Sequence, residues 1–190
     1  LINDITDVVN NDPAIGGRLK VVFIPNYNVS VAEVIIPPCE LSEQISTAGT
    51  EASGTSNRNG AGRGAWTIGT LDGANVEILE EVGRDNIFIF GLTAAEVAEH
   101  HAKGHRPWDD YYANPELRQA LEMISGGYFS PDAPDLHRPV VERLTEGGDP
   151  YLLLADYADY IACQERVTAL YTQRDEWNRK AVLNLAHMGK

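Results

Sequence analysis

The sequence predicts an α/β fold, a parallel sheet with helices packed on its faces. Three observations carry that expectation. Short apolar, β-branched runs recur at residues 19–24 (LKVVFI), Trp66–Gly69 (WTIG) and 86–90 (NIFIF), as in strands buried on both faces. Amphipathic segments follow the second and third runs, and strand, helix, strand, helix at this spacing makes right-handed parallel crossovers. From Asn114 onward the pattern is helical. The chain therefore reads as a single partial domain over 1–190, with a sheet unit at 1–110 and a mainly helical packing region at 111–190.

Taken in order, residues 7–11 end a first helix that Asn11, Asp12 and Pro13 break. The strand at 19–24 stops at Pro25, Asn26 and Tyr27, a carboxyl edge of the kind where open α/β sheets hold ligands. Residues 28–36 fit helix or strand. Val31, Val34 and Ile35 favour a short helix started by Asn28 or Ser30 and stopped by Pro37 and Pro38. After Trp66–Gly69, Asp72 and Gly73 turn into a helix over Ala74–Val82, striped by Val76, Leu79 and Val82 and closed by Gly83. The strand at 86–90 leads to a helix over 94–101 capped by Thr93. Helices are expected at Pro115–Ser125, 139–145, 151–171 and 176–188, the first two separated by a Gly-, Pro- and Asp-rich loop. Tyr157, Tyr160, Cys163, Val167 and Leu170 recur at helical spacing and read as core.

A chain of 190 residues with 43% hydrophobic and 23% charged residues is globular rather than disordered. The net charge of −13 argues against nucleic acid and anionic membrane surfaces as partners. No apolar run approaches a membrane span in length, and no signal segment opens the chain. It begins at Leu1 without an initiator Met, which reads as a fragment or processed chain. Cys39 and Cys163 lie far apart, suggesting neither zinc site nor disulfide framework, so a reducing, cytoplasmic setting is the default.

Residues 41–77, LSEQISTAGTEASGTSNRNGAGRGAWTIGTLDGANVE, organise the rest. Thr47, Gly49, Thr50, Ser53, Gly54, Thr55 and Ser56 let backbone N–H groups approach a ligand, as suits a turn that serves a phosphate or sugar. Glu43 and Glu51 are the carboxylates near these small residues. Small hydroxylated residues also build ordinary loops. Gly60 to Gly64 read G-x-G-x-G, one residue short of a dinucleotide-binding loop and without a clear strand before them. His100, His101 and His105 read as a solvated helix end rather than a metal cluster.

ISTAGTEASGT and TIGTLDGANVE resemble the α-glucan (glycogen, starch, maltodextrin) phosphorylase family. The resemblance continues through DVVNNDP, LKVVFIPNY, SEQIS, NIFIFG, YFSP, LADYADYIACQ and LNLAHMGK, essentially the whole chain. It implies a piece of the C-terminal domain of a GT-B glycosyltransferase fold, in which two Rossmann-like domains enclose the active site. It also implies pyridoxal 5′-phosphate as cofactor, its phosphate acting beside the substrate phosphate. The implied reaction converts α-glucan and phosphate to a shortened glucan and glucose 1-phosphate, in a cytoplasmic and homodimeric parent enzyme.

On this resemblance Glu51 accepts hydrogen bonds from glucosyl hydroxyls, and Ala52, Ser53 and Gly54 offer backbone amides to the same sugar. Gly54 and Thr55 face the cofactor phosphate at a helix start, Tyr27 packs near the cofactor, and Gln44 neighbours the phosphate site. The family then continues M-K-F-x-L-N-G, with the Lys holding pyridoxal phosphate as a Schiff base. Here Asn59 stands at that position and no catalytic residue is assigned within the chain. An amide nitrogen forms no imine, so a covalent cofactor link is not expected. Gly60 and Gly62 replace Phe and Leu, weakening helix propensity by roughly 1 kcal/mol each relative to alanine, and a flexible, basic, polar segment is expected. Asn28 stands where the family often has a basic residue. Engineering or misassignment, a genuine loss of catalysis, or a sequence fault each fits such a block. The chain alone, lacking the N-terminal domain, is expected to be inactive. The alternative is a non-catalytic sugar- or phosphate-binding, or structural, module on the same half-domain.

Overall fold

The computed structural model describes residues 1–51, 53 and 59–187. In chain order its elements are helices α1 (Ile2–Asn11) and α2 (Val29–Ile35), strands β1 (Leu41–Gln44) and β2 (Trp66–Gly69), helix α3 (Ala74–Val82), strand β3 (Phe88–Ile89), and helices α4 (Ala94–Lys103), α5 (Pro107–Ala113), α6 (Pro115–Ser125), α7 (Arg138–Thr145), α8 (Leu153–Tyr171) and α9 (Arg174–His187). They fall into two compact units, Leu1–Asn28 with Arg106–Pro150, and Val29–His105 with Tyr151–Lys190.

The first unit is helical. Pro107 and Pro115 occupy first-turn positions of α5 and α6, where a missing N–H costs nothing. The Asn114 side chain caps α6 by accepting from the N–H groups of Glu116 and Leu117 at 3.1 and 3.0 Å. Leu117 and Leu121, four residues apart, turn the same face of α6 inward, and Val141 and Thr145 do so on α7. On α1, Asp4 Oδ2 lies 2.7 Å from Nε2 of the buried His137.

Residues 19–24 are not a strand, contrary to the sequence expectation. Leu19, Val22 and Phe23 are 56%, 63% and 53% exposed. The Asn10 side chain takes both backbone groups of Val21, donating to its carbonyl at 2.7 Å and accepting from its N–H at 2.9 Å. An apolar run becomes a strand only with a neighbour to pair with. Among the described residues this one has none.

The second unit carries the sheet, ordered β1-β2-β3 and parallel throughout. Its first strand, Leu41–Gln44, lies inside the hydroxylated stretch, and its polar Ser42, Glu43 and Gln44 hid it from a search for apolar runs. All four residues of β2 are buried. Trp66 packs its ring 5.1 Å from Phe88 and 5.2 Å from Trp177 of α9. Cys163 and Val167 of α8 complete this core, with Tyr160 and Leu170 against it, so the helical stripe expected to be core largely is. A second cluster joins Ala61 to Ala74, Ile78, Val82 and Ile87, and a third joins Ala48, Val97 and Leu152.

Several expectations shift. The third strand shrinks from 86–90 to Phe88–Ile89 because Arg84–Asn86 forms a 3₁₀ turn. Helix α3 buries Ala74, Ile78 and Val82, while Val76 stays 39% exposed; small Ala74 permits the close approach that fixes this face. Helix α4 runs past His101 to Lys103, started by a capping box between Thr93 and Glu96. Helix α5 is additional, signalled by Pro107 with Asp109 and Asp110 in its first turn. Helix α8 begins at Leu153 rather than Tyr151, and α9 starts earlier, at Arg174. Met188 lies outside the described residues.

Candidate functional site

The candidate site is built at the carboxyl ends of β1 and β2, where the parallel sheet points its strand exits toward one loop. Gln44 ends β1 and Gly69 ends β2, paired in register. Gln44 Oε1 accepts from Asn75 Nδ2 at 2.6 Å, and Asn75 Nδ2 also donates to the Thr70 carbonyl at 2.9 Å. Gln44 Nε2 meets the Ser46 hydroxyl. Asn75 and Thr70 are each 1% exposed, so this polar lattice is internal and satisfied, as burial requires. Only glycine fits at 69, because a Cβ there would strike the Gln44 carbonyl at 2.7 Å and the Asn75 amide.

The loop from Ser46 onward is pinned by hydroxyls and by one carboxylate. Thr70 Oγ1 donates to the Ser46 carbonyl at 2.7 Å, Thr47 Oγ1 to the Tyr151 carbonyl at 2.7 Å, and Thr50 Oγ1 to the Thr47 carbonyl at 2.6 Å. Asp72, 7% exposed, accepts from the N–H groups of Thr50 and Glu51 at 3.1 and 2.7 Å through a single oxygen, Oδ2. Charge-assisted bonds of this kind are the stronger class. The half-buried Glu51 then accepts from the Ser53 N–H through Oε1 at 2.9 Å. Gly73, at φ 51°, gives Glu51 room, since a Cβ there would lie 2.8 Å from its Cγ. The result is a tight acidic turn that can offer a carboxylate acceptor to ligand hydroxyls.

Of the residues singled out from sequence, Gln44, Glu51 and Ser53 belong to the second unit and share this strand-exit network with its loop. Tyr27 belongs to the first unit and is 61% exposed. Ala52, Gly54 and Thr55 lie outside the described residues, as does Arg58. Asn59 is exposed and helical together with Gly60 and Ala61. The polar segment expected here is therefore helical over these three residues. Ala61 is buried against α3, and Gly60 lies so close to β1 that a Cβ would be 3.1 Å from the Ser42 Cβ. Small residues at 60 and 61 permit that approach and offset glycine's weak propensity.

Sequence reading missed Asp72 as a working residue. Sequence alone shows only an acid three residues past a buried strand and directly before a glycine; the amides that it holds lie more than twenty residues earlier. Glu43 was grouped with Glu51 but is engaged with α8, accepting from Tyr160 Oη at 3.1 Å and from Gln164 Nε2 at 2.6 Å. Burial, and then the Glu43 carboxylate, push the Tyr160 phenol up, which keeps it a proton donor to Glu43.

The fold is α/β, a parallel sheet with a hydroxyl-rich loop at its strand exits, and comparison with known proteins gives the family. The chain matches the carbohydrate phosphorylase family over residues 1–190 and belongs to it. It is 52% identical over 190 residues to glycogen phosphorylase of Synechocystis sp.. The same identity holds for the muscle form of glycogen phosphorylase from Homo sapiens, and the muscle form from Mus musculus is 50% identical. Each match covers 100% of this chain and 22% of the relative. The chain thus spans about a fifth of the length of the curated relatives it matches.

Proposed function

We propose that the chain supplies the glucosyl-binding turn of an α-1,4-glucan phosphorylase, which cleaves glucan with phosphate to release glucose 1-phosphate. The observation that carries this reading is the 52% identity across the whole chain to glycogen phosphorylase. The Asp72-held turn at the sheet's carboxyl edge, with the Glu51 carboxylate on it, supports this reading. In this reading the sheet unit is part of one Rossmann-like half of a GT-B fold, and chain 1–190 is a partial domain. The whole enzyme is a cytoplasmic homodimer acting on α-glucan, phosphate and glucose 1-phosphate.

In the proposed role Glu51 accepts hydroxyl hydrogen bonds from the glucosyl unit, and backbone amides at Ala52, Ser53 and Gly54 face the same sugar. The Ser53 N–H is bonded to Glu51, so sugar binding exchanges that internal bond for one to the ligand. By the family resemblance, Gly54 and Thr55 are assigned to the cofactor phosphate, Gln44 to the neighbouring phosphate site and Tyr27 to the surroundings of the cofactor. Pyridoxal phosphate fits this chain only without its covalent link. Asn59, aligned with the Schiff-base lysine, carries a carboxamide, and residues 41–77 contain no lysine. No catalytic step is therefore assigned through the cofactor here.

The test is calorimetric titration of the 190-residue chain with maltotriose. Saturable binding that Glu51→Ala weakens about ten-fold is expected, as for loss of a charged hydrogen bond; affinity equal to wild type overturns the role of Glu51. Borohydride treatment with pyridoxal phosphate, followed by mass spectrometry of the peptide containing Asn59, should give no adduct there. Glucose 1-phosphate release from glycogen and phosphate should be undetectable, and its detection would show the chain to be active alone.

A further inference from the structure

Asn59 is exposed, and Gly60 directly after it is buried. The two form the chain's one Asn-Gly dipeptide, and the role proposed for Glu51 does not use it. Glycine has no Cβ to shield its nitrogen from the side chain before it, so an asparagine carboxamide meets the next backbone nitrogen most readily in this pairing. Past Asn59 and Gly60 the helical run ends at Ala61. The Gly60 carbonyl accepts from the N–H groups of Arg63 and Ala65 at 2.9 and 3.1 Å, and the Ala61 carbonyl from that of Gly64 at 3.1 Å. Gly64 stands at φ 90°. Glycines at 60, 62 and 64 give the open form of this turn more conformational freedom than other residues would, so it opens at little cost.

The chain's one Asp-Gly pair, Asp72 with Gly73, cyclises by the same route but is locked. Asp72 is 7% exposed, and its Oδ2 accepts from the N–H groups of Thr50 and Glu51. A carboxylate so held neither turns toward the Gly73 nitrogen nor meets water. The fold therefore separates two dipeptides that sequence alone places in one class.

We propose that Asn59 is a site of spontaneous deamidation, and that its product loosens the turn from β1 and α3. When the turn opens, the Gly60 nitrogen attacks Asn59 Cγ. The Cγ–Nδ2 bond breaks, and Nδ2 leaves as ammonia with the proton that Gly60 gives up. Water then opens the cyclic imide. Addition at Cγ gives aspartate. Addition at the main-chain carbonyl carbon gives isoaspartate, whose backbone runs through the side-chain methylene. One water enters, one ammonia leaves, and nothing is oxidised or reduced. The extra methylene matters because the next two residues have no slack. A Cβ on Gly60 would already lie 3.1 Å from the Ser42 Cβ, and Ala61 is buried among Ala74, Ile78, Val82 and Ile87. Isoaspartate displaces both, whereas aspartate adds only an exposed charge.

The experiment ages the folded 190-residue chain in mildly alkaline water enriched in heavy oxygen, then applies trypsin and mass spectrometry. Cleavage after Arg58 and Arg63 isolates residues 59–63, which should accumulate an acidic form carrying one heavy oxygen, mostly isoaspartyl. The peptide holding Asp72 should stay unchanged. Asn59→Gln, which needs a larger ring, should give no acidic form over the same time. Gly62→Ala, an exposed change away from the reacting atoms, should slow the reaction about two- to five-fold, as for the effect of Gly-to-Ala on opening a helical turn. The isoaspartyl chain should unfold at lower urea than freshly made Asn59→Asp, which carries the charge without the methylene. Absence of the acidic peptide from the folded chain, where the chain unfolded in guanidinium yields it, overturns the site. Equal modification at Asp72 overturns the selection by fold, and equal urea midpoints overturn the loosening.

Discussion

Two apolar runs that look alike in sequence end in opposite environments. Trp66–Gly69 is buried at every position, whereas residues 19–24 leave Leu19, Val22 and Phe23 more than half exposed. Composition does not separate them; partners do. The first run pairs with β1 on one side and β3 on the other and receives Phe88, Val167 and Trp177 on its faces. The second has its backbone at Val21 claimed by Asn10 and finds no strand beside it among the described residues. Apolar, β-branched sequence states a demand for cover, and only the rest of the polypeptide decides whether it is met.

That contrast can be broken most forcefully at Trp66. Trp66→Ala should cost about 3–5 kcal/mol, the range for emptying a buried aromatic site, read as a lowered urea midpoint. Next comes Asp72→Ala, which strips the acceptor from two loop amides and should cost about 2 kcal/mol. It should also weaken maltotriose binding as much as Glu51→Ala does. In the exposed run, Phe23→Ser should change stability by less than about 0.5 kcal/mol, while lowering the binding of a hydrophobic dye such as ANS. A Phe23→Ser loss as large as that of Trp66→Ala would show the two runs to be equivalent in solution.

The smallest effect lies at the entry to β1. Glu40 accepts from Tyr171 and pairs with Arg174 at 3.0 Å, and the Arg174 guanidinium sits 3.8 Å above the Tyr171 ring. The Tyr171 hydrogen bond, and then Arg174, hold the Glu40 carboxyl below its ordinary value of 4.5. A depressed folded-state pKa gives stability that is present above that ordinary value and lost as pH falls through the folded one. Glu40→Gln should therefore lower the urea midpoint slightly at pH 7 and leave it unchanged near pH 2. A difference of equal size at both would assign the effect to packing rather than charge.

How far the sequence could be read follows the same division. Local signals survive intact. The strand Trp66–Gly69, the helix Ala74–Val82 closed by Gly83, the Thr93 cap and the helix Pro115–Ser125 all stand at the residues expected, because caps, glycines and prolines act within a turn of the chain. Nonlocal features do not. β1 is polar and half-covered, so only pairing with β2 reveals it as a strand, and β3 is shortened by the 3₁₀ turn before it. At the candidate site, Glu51 was marked by the hydroxylated stretch around it, and Gln44 only by the family resemblance. Asp72 was not, because its role depends on two amides more than twenty residues earlier.

Those amides and their acceptor belong to different strand exits. The acidic turn leaves β1, but the oxygen that shapes it leaves β2. The turn is therefore not a self-contained cassette. A graft of the segment from Ser46 to Ser53 onto another parallel sheet would carry its hydroxyls and its carboxylate but leave two N–H groups without their acceptor. Such a transplant keeps its shape only if the adjacent strand of the host supplies an acid where Asp72 stands, with glycine after it to make room. Loop exchange within such sheets is accordingly a paired operation, two segments moved together.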